Sequence, residues 1–279
     1  RSALISVPDI SANRAGQCAT TPPARFAEIS GTEISAERPW TEEYPHYVGV
    51  PGMNAVGKHL AADVDVRYGT KIESLERQAS TWSLDLGEDG TRDGFDWVIV
   101  TAPAAQTAGL LPQQSSLTAT ASAKEMKSCF ALMLGFNDDP GLVFDAALVR
   151  GRDISWISVN SSKPGRDGKA AMVVHATNAW ADANLERPLE EVRGHMLDEV
   201  RLATGIDASS AAHVDVQRWR YANIDKQDPA ATQIDADARL AVCGDWLIRG
   251  RVESAFLSAE QLLTELEPQL AAASSGPGS

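Results

Sequence analysis

Cysteine is scarce: Cys18, Cys129 and Cys243 are the three in a chain of 279 residues. They are far apart, odd in number and show no Cys-x-x-Cys spacing. That excludes a disulfide-framed scaffold and a thiolate zinc module, and the thiols are expected to be reduced and mostly buried, as in a cytoplasmic protein. Histidine is also sparse, with five residues and no His-x-x-x-His or His-Glu-x-x-His pair, so no metal site is expected. Positive charge is outweighed, with 25 Lys and Arg against 38 Asp and Glu, a net charge of −13. A nucleic-acid partner needs clustered cations to neutralise phosphates, so that class is set aside. No apolar run approaches the ~20 residues of a membrane span, and the opening "RSALISVPDISANRAG" lacks the apolar centre of a secretory leader. No Ser-His-Asp or paired-carboxylate pattern marks hydrolytic machinery.

What is present suits a globular chain. Hydrophobic residues make up 43% and charged residues 23%, enough for one large core or two smaller ones. Residues 1–45, with Pro22-Pro23, Pro39 and many Ser, Thr and Ala, carry no clear period and are expected to be irregular. From Tyr47 the signals sharpen. Pro51-Gly52 marks a turn, and Met53 to Ala61 suits a short helix with Met53, Val56 and Leu60 on one face. "DVDVRYGTKIESLE" alternates as a strand broken at Gly69, and "STWSLDLGEDGTRDGFDWVIVTAP" adds strands around glycine-rich turns. Its Val98 to Val100 run ends at Thr101-Ala102-Pro103, the pattern of a buried parallel strand opening into a loop.

Further on, "SCFALMLGF", "ISWISVN", "AAMVVHAT" and "AAHVDVQRWRYA" alternate as strands. "PLEEVRGHMLDEVRLATG" is an amphipathic helix opened by Pro188 and closed by Gly205. "ARLAVCGD" precedes a final helix, and residues 273–279 read as a disordered tail. The order predicts a discontinuous α+β architecture. An α/β part built from 46–112 and 237–272 is interrupted by a mixed, antiparallel-leaning sheet domain over 113–236.

The stretch "LAVCGDWLIRGRVESAFLSAEQLL" carries the most chemistry. A strand ending in Gly244-Asp245 leaves a carboxylate at the C-terminal edge of a sheet, where open α/β folds bind ligands. A helix opening near Gly250-Arg251-Val252 directs free N–H groups toward that edge, which favours negative charge there. Spacing alone leaves Asp245 equally readable as a turn cap.

This segment resembles the C-terminal flavin signature of the amine-oxidase superfamily, most closely its renalase-like branch. The matching residues are Gly244-Asp245-Trp246, Gly250-Arg251-Val252-Glu253-Ser254-Ala255 and Leu257-Ser258, with Ala259 where that branch has glycine. "YVGVPGMNAV", "FDWVIVTAPAAQTAGLL", "WISVNSSKPGR" and "HVDVQRWRYA" resemble other stretches of the branch in the same order, so the resemblance runs over roughly residues 47–270. It implies an oxidoreductase with FAD as cofactor and an α/β FAD-binding part carrying an inserted substrate domain. The implied substrate is a reduced nicotinamide dinucleotide, with an amine as the alternative, and O2 as electron acceptor. Asp245 would accept from the ribityl chain, with Gly244, Trp246, Arg251 and Val252 beside it. Ile72 would offer backbone contacts to adenine, and the turn Pro51-Gly52-Met53 and Pro103 would approach the flavin. Trp219 and Tyr221 would wall the substrate pocket, with Asn160, Lys163 and Arg166 as substrate contacts.

One departure stands out. Families of this kind open with a βαβ unit carrying Gly-x-Gly-x-x-Gly and an acidic residue ~20 positions later. This sequence has no such pattern, and residues 1–45 lack a Gly-Gly-Arg turn. The expectation is a fragment without that unit, a divergent homologue that cannot hold flavin by itself being the alternative. The chain alone is not expected to retain FAD, and a non-catalytic binding remnant is the alternative to an enzyme.

Overall fold

The computed structural model describes residues 18–20, 25–31, 33–39, 47–166, 168–227 and 233–274. The chain opens with β1 (Cys18–Thr20), β2 (Arg25–Ser30), β3 (Glu33–Pro39), β4 (Tyr47–Gly49) and the short helix α1 (Ala55–Leu60). Next come β5 (Ser74–Gln78), β6 (Thr81–Asp85), β7 (Thr91–Phe95), β8 (Val98–Val100), α2 (Ala104–Leu110) and α3 (Ser116–Ser122). The middle supplies β9 (Lys127–Gly135), β10 (Ala146–Arg150), β11 (Ile154–Val159), β12 (Ala171–Ala176), α4 (Asn178–Ala183) and α5 (Leu189–Thr204). It closes with β13 (His213–Asn223), β14 (Ile234–Asp235), β15 (Leu240–Val242) and α6 (Val252–Ser274). Among the described residues no helix is long and apolar enough to cross a membrane.

Contacts divide the described residues into two units, each α+β in make-up. The first, here the α/β unit, takes 64–127 and 221–274; the second, the sheet unit, takes 18–63 and 128–220. The sequence reading drew its cuts elsewhere, at 46, 112 and 237. Residues 47–63 go with the sheet unit because the Arg166 guanidinium holds the Pro51 carbonyl. Residues 113–127 go with the α/β unit because Leu117 and Ala121 of α3 sit in its core beside Ala104 and Leu111.

In the α/β unit, β8 and β15 lie side by side in parallel, with β14 antiparallel on the far side of β15. β15 is buried on both faces. Leu240 and Val242 join Trp82, Val100, Ala104, Leu117 and Trp246 in one core, while Ala241 and Cys243 pack with Leu262 and Leu266, one turn apart on α6. This explains its unbroken apolar run, which a half-exposed strand would interrupt with polar residues. β8 was expected to be equally buried; Val100 is, but Ile99 is 44% exposed. A separate antiparallel meander, β5-β6-β7, completes the unit.

The sheet unit is built on seven strands in the order β13-β9-β12-β11-β10-β2-β3, with β1-β4 as a small separate pair. β2 and β10 run parallel, and the other registered neighbours in the large sheet run antiparallel. Strand register creates two rows across five strands. One is Leu132–Val174–Ile157–Ala147–Ala27, every member fully buried. Helix α5 closes that face with Val192, Met196 and Val200, spaced four apart so that they share one stripe. The next row, Ala131–His175–Trp156–Leu148–Glu28, belongs to the opposite face because side chains alternate along each strand.

Three expectations on elements fail. Residues 1–45 are not all irregular: β2 and β3 lie there, with Ala27 and Ile29 completely buried. The alternating stretch 63–72 forms no strand. Val66 is 39% exposed, and no partner strand lines up beside it among the described residues, so alternation without a ladder leaves it as loop. Residues 273 and 274, read as tail, are the end of α6, and 275–279 lie outside the described residues.

Candidate functional site

The predicted site residues fall into two groups, one in each unit. In the α/β unit the group forms where β8 and β15 end together. Trp246 is almost wholly buried, and its indole N–H donates to the Ala102 carbonyl at 3.0 Å, tying the exit of β15 to the exit of β8. The Thr107 hydroxyl donates to the same carbonyl at 2.7 Å, from α2, whose N-cap is Pro103. Gly244 fits under the indole only because it has no side chain. A Cβ there would stand 2.5 Å from Trp246 Nε1. The Gly244 N–H donates to the hydroxyl of Ser258 at 3.0 Å, and Gln233 donates to that hydroxyl at 2.8 Å. Ser258 is fully buried, so one α6 side chain holds the Gly-Asp corner in place. Sequence reading named Ser258 in the motif but gave it no role.

Asp245 follows this corner at the start of a single 3-10 turn, Asp245–Leu247. Burial pushes its carboxyl above the usual value, against the lowering pull of the backbone N–H groups of Trp246 and of Asp245 itself. Among the described residues no side chain donates to it. A half-buried carboxylate without a side-chain donor, at the C-terminal edge of a parallel pair, suits a ligand that brings hydroxyl donors. Gly250 is stitched to the preceding chain, its N–H donating to the Ile224 carbonyl at 3.2 Å. Arg251 is exposed and Val252 is 83% exposed at the start of α6. Ile72 lies in loop just before β5, not on the strand expected for it; the first backbone bond of that region runs from Glu73 N–H to the Asp85 carbonyl. Tyr221 is half-buried near the end of β13.

The raised Asp245 pKa yields a stability prediction with a definite sign. A carboxyl whose folded pKa exceeds its unfolded value adds stability only below the unfolded value, and that contribution is lost as pH rises through the folded one. Asp245→Asn is therefore expected to melt higher than wild type at pH 7, the gap closing as pH falls below about 4. Thermal melts at both pH values check this, and a lower melting point at pH 7 would mean that the charged form is stabilising.

In the sheet unit, Lys163-Pro164-Gly165-Arg166 folds against the Val50-Pro51 turn. The Arg166 guanidinium donates to the Pro51 carbonyl. Gly165 has φ +66°, and a Cβ on it would come within 2.4 Å of Val50 Cγ1, so glycine is required both for conformation and for the approach. Lys163 Nζ donates to Asn160 Oδ1 at 3.1 Å. Burial lowers the Lys163 pKa and the neighbouring Arg166 lowers it further. Arg166 Nη2 is buried and has no hydrogen-bond partner among the described residues. Sequence reading missed His175, a half-buried residue on β12 whose pKa is lowered by burial and by Lys163.

Trp219 is 55% exposed and Met53 53% exposed; Gly52 turns the chain, its carbonyl accepting from Ala55 N–H at 2.9 Å. On β13, Arg218 reaches the α5 side, its guanidinium 5.8 Å from the Phe130 ring centroid. Alternation then puts Trp219 on the face shared by His175 and Trp156. Trp156 meets Phe26 there, with ring centroids 5.8 Å apart. The result is a face of aromatics with a cationic loop beside His175.

Comparison with known proteins agrees with this architecture. Residues 28–261 match the sequence profile of the family described as flavin containing amine oxidoreductase. Among solved structures, a protein of Exiguobacterium sp. 255-15 assigned as a protoporphyrinogen oxidase superposes with a TM-score of 0.62 at 15% identity, covering 80% of this chain and 52% of its own. Wild-type putrescine oxidase bound to putrescine gives 0.58 at 12% identity, covering 80% and 54%. An oxidoreductase from Methanosarcina mazei gives 0.55 at 17% identity, covering 79% and 55%. The chain thus spans about half the length of the solved structures it matches.

Proposed function

Because this chain belongs to the flavin-containing amine oxidoreductase family, we propose that it supplies the closing edge of a flavin site and the substrate-facing sheet of an oxidoreductase acting on an anionic reduced nicotinamide dinucleotide, as the renalase-like resemblance implies. The observation that carries the substrate choice is the Arg166 guanidinium, clasped to Pro51 through one nitrogen while the other is buried without a partner among the described residues. A buried donor left unpaired is costly unless a ligand completes it. A phosphate oxygen is the natural acceptor for an arginine fork.

A bound FAD supplies the two-electron acceptor, and overall a dihydronicotinamide, a proton and O2 become a pyridinium and hydrogen peroxide. Asp245 accepts hydrogen bonds from ribityl hydroxyls at the corner that Gly244, Trp246 and Ser258 fix. The opening of α6 at Arg251 and Val252, together with Pro103, borders the flavin ring. Ile72 offers backbone groups to adenine, and Pro51, Gly52 and Met53 line the approach. Trp219 and Tyr221 shape the substrate face, while Asn160 holds Lys163 in place beside Arg166. No residue is assigned as a base: a dihydropyridine that loses hydride becomes aromatic, so orientation and exclusion of water do most of the work.

The family's name favours a second reading, an amine substrate. An ammonium group would then meet Lys163 and Arg166 as like charges. Anaerobic titration of the protein in excess FAD separates the two. Bleaching of the flavin absorbance by reduced nicotinamide dinucleotides, with peroxide formed on readmission of air, is the expected result. Bleaching by amines alone would overturn the substrate assignment, and a flavin bleached by neither would overturn the catalytic reading.

A further inference from the structure

On the α5 side of the sheet unit, three metal-ligating side chains converge. His195 and Glu199 stand four apart on α5, which places them one above the other on a single face. Asp153 immediately precedes β11 and faces them. One ligand atom from each of the three lies within 4.8 Å of the other two. Asp153 Oδ2 and His195 Nε2 are 2.9 Å apart, and the Asp153 backbone N–H donates to Glu199 Oε2 at 3.2 Å.

The surroundings hold these groups in place without using up their lone pairs. The His195 ring stacks on Trp180 at 4.6 Å between centroids and 6° between planes, so its orientation is set by packing. Arg152 donates to the carbonyls of Gly31 and Leu202, each at 3.2 Å. Its remaining nitrogen stays 3.9 Å from Glu199 Oε1, beyond hydrogen-bond reach. The guanidinium therefore offsets one carboxylate charge while leaving that oxygen free of it. Asp153, His195 and Glu199 are all partly accessible, so an ion has a path in.

We infer that Asp153, His195 and Glu199 form a binding site for a divalent first-row metal ion, Zn2+ being the probe of choice. One imidazole and two carboxylates form a ligand set that Zn2+ accepts at about 2.0–2.2 Å, with the remaining position open to water. Bound there, the ion replaces the Asp153–His195 hydrogen bond with a three-point clamp between α5 and the start of β11. The expectation of no metal rested on the lack of a His-x-x-x-His or His-Glu-x-x-His pair. His195 and Glu199 have the same one-turn spacing, but their third partner lies 42 residues before His195 and only the fold supplies it.

The test uses the full chain, stripped with a chelator. Calorimetric titration with Zn2+ is expected to give one ion per chain, and Co2+ substitution to give visible d–d absorption. Zn2+ should also raise the melting temperature. Glu199→Gln, which keeps shape, and His195→Ala should each weaken binding by at least about 10–100-fold, the scale of losing even an outer partner of a metal ligand. Both should abolish the Zn2+-dependent rise in melting temperature. Two results would each overturn the inference: no saturable Zn2+ binding by the wild type, or a Co2+ spectrum and Zn2+ affinity unchanged in a folded Glu199→Gln chain. Neither readout depends on flavin or turnover, so the metal site and the proposed activity stand or fall separately.

Discussion

Trp246→Ala is expected to destabilise the α/β unit by about 3–5 kcal/mol, the range for truncating a fully buried tryptophan. The side chain packs in the core shared by Val100 of β8 and Leu240 and Val242 of β15, and its N–H is one of two donors to the Ala102 carbonyl. Loss of the indole leaves a cavity and frees the Gly244 corner to shift, so flavin retention should fall in parallel. Trp246→Phe retains much of the volume and forfeits mainly the hydrogen bond, an expected cost of about 1 kcal/mol beyond any packing change. Urea denaturation of the three proteins checks the order. A Trp246→Ala midpoint equal to that of wild type would mean that the corner is held by Ser258 alone.

The second large effect concerns Arg166. On the proposed reading, Arg166→Ala should raise KM for the reduced dinucleotide about 10–100-fold, equivalent to the ~1.5–3 kcal/mol of a hydrogen bond to a charged group. A dihydronicotinamide without phosphates should show no such change, because it has nothing for the guanidinium to bind. Arg166→Lys keeps the charge but not the fork that spans Pro51 and the ligand, so partial recovery is expected. If both substrates suffered equally, Arg166 would be acting only by positioning the Pro51 turn.

The parts of this fold that sequence made legible share a local cause. Helix α5 is announced by Pro188 at its N-cap and by Gly205, which adopts the left-handed conformation at its C-cap. β9, β11, β12 and β13 are long enough for alternation to register. β2 was hidden because what makes it a strand is β10, and Arg25 meets Asp145 across 120 positions. Its neighbouring prolines and small residues spoke for irregular chain until that partner was in place. The reverse error, at 63–72, is alternation with nothing to pair against. In the site, the Gly244-Asp245-Trp246 corner could be anticipated because its glycine, carboxylate and indole are consecutive. His175 could not, since its meaning comes from Lys163 on another segment, and Ile72 was misplaced together with the strand that was to carry it.

The two rows drawn by strand register have an engineering consequence. Each residue that packs beneath α5 is followed by one that looks the other way, so a single backbone carries two independent alphabets. Ala131, Leu148, Trp156 and His175 can be varied together while Leu132, Ala147, Ile157 and Val174 stay untouched. Changes on distinct faces interfere little with one another when they share no partners. A single-residue insertion within β11 or β12 has the opposite character: it exchanges the alphabets beyond that point, delivering Trp156 or His175 to the core and core residues to the other side. This sheet therefore lets one face be varied apart from the other but is intolerant of any change in count.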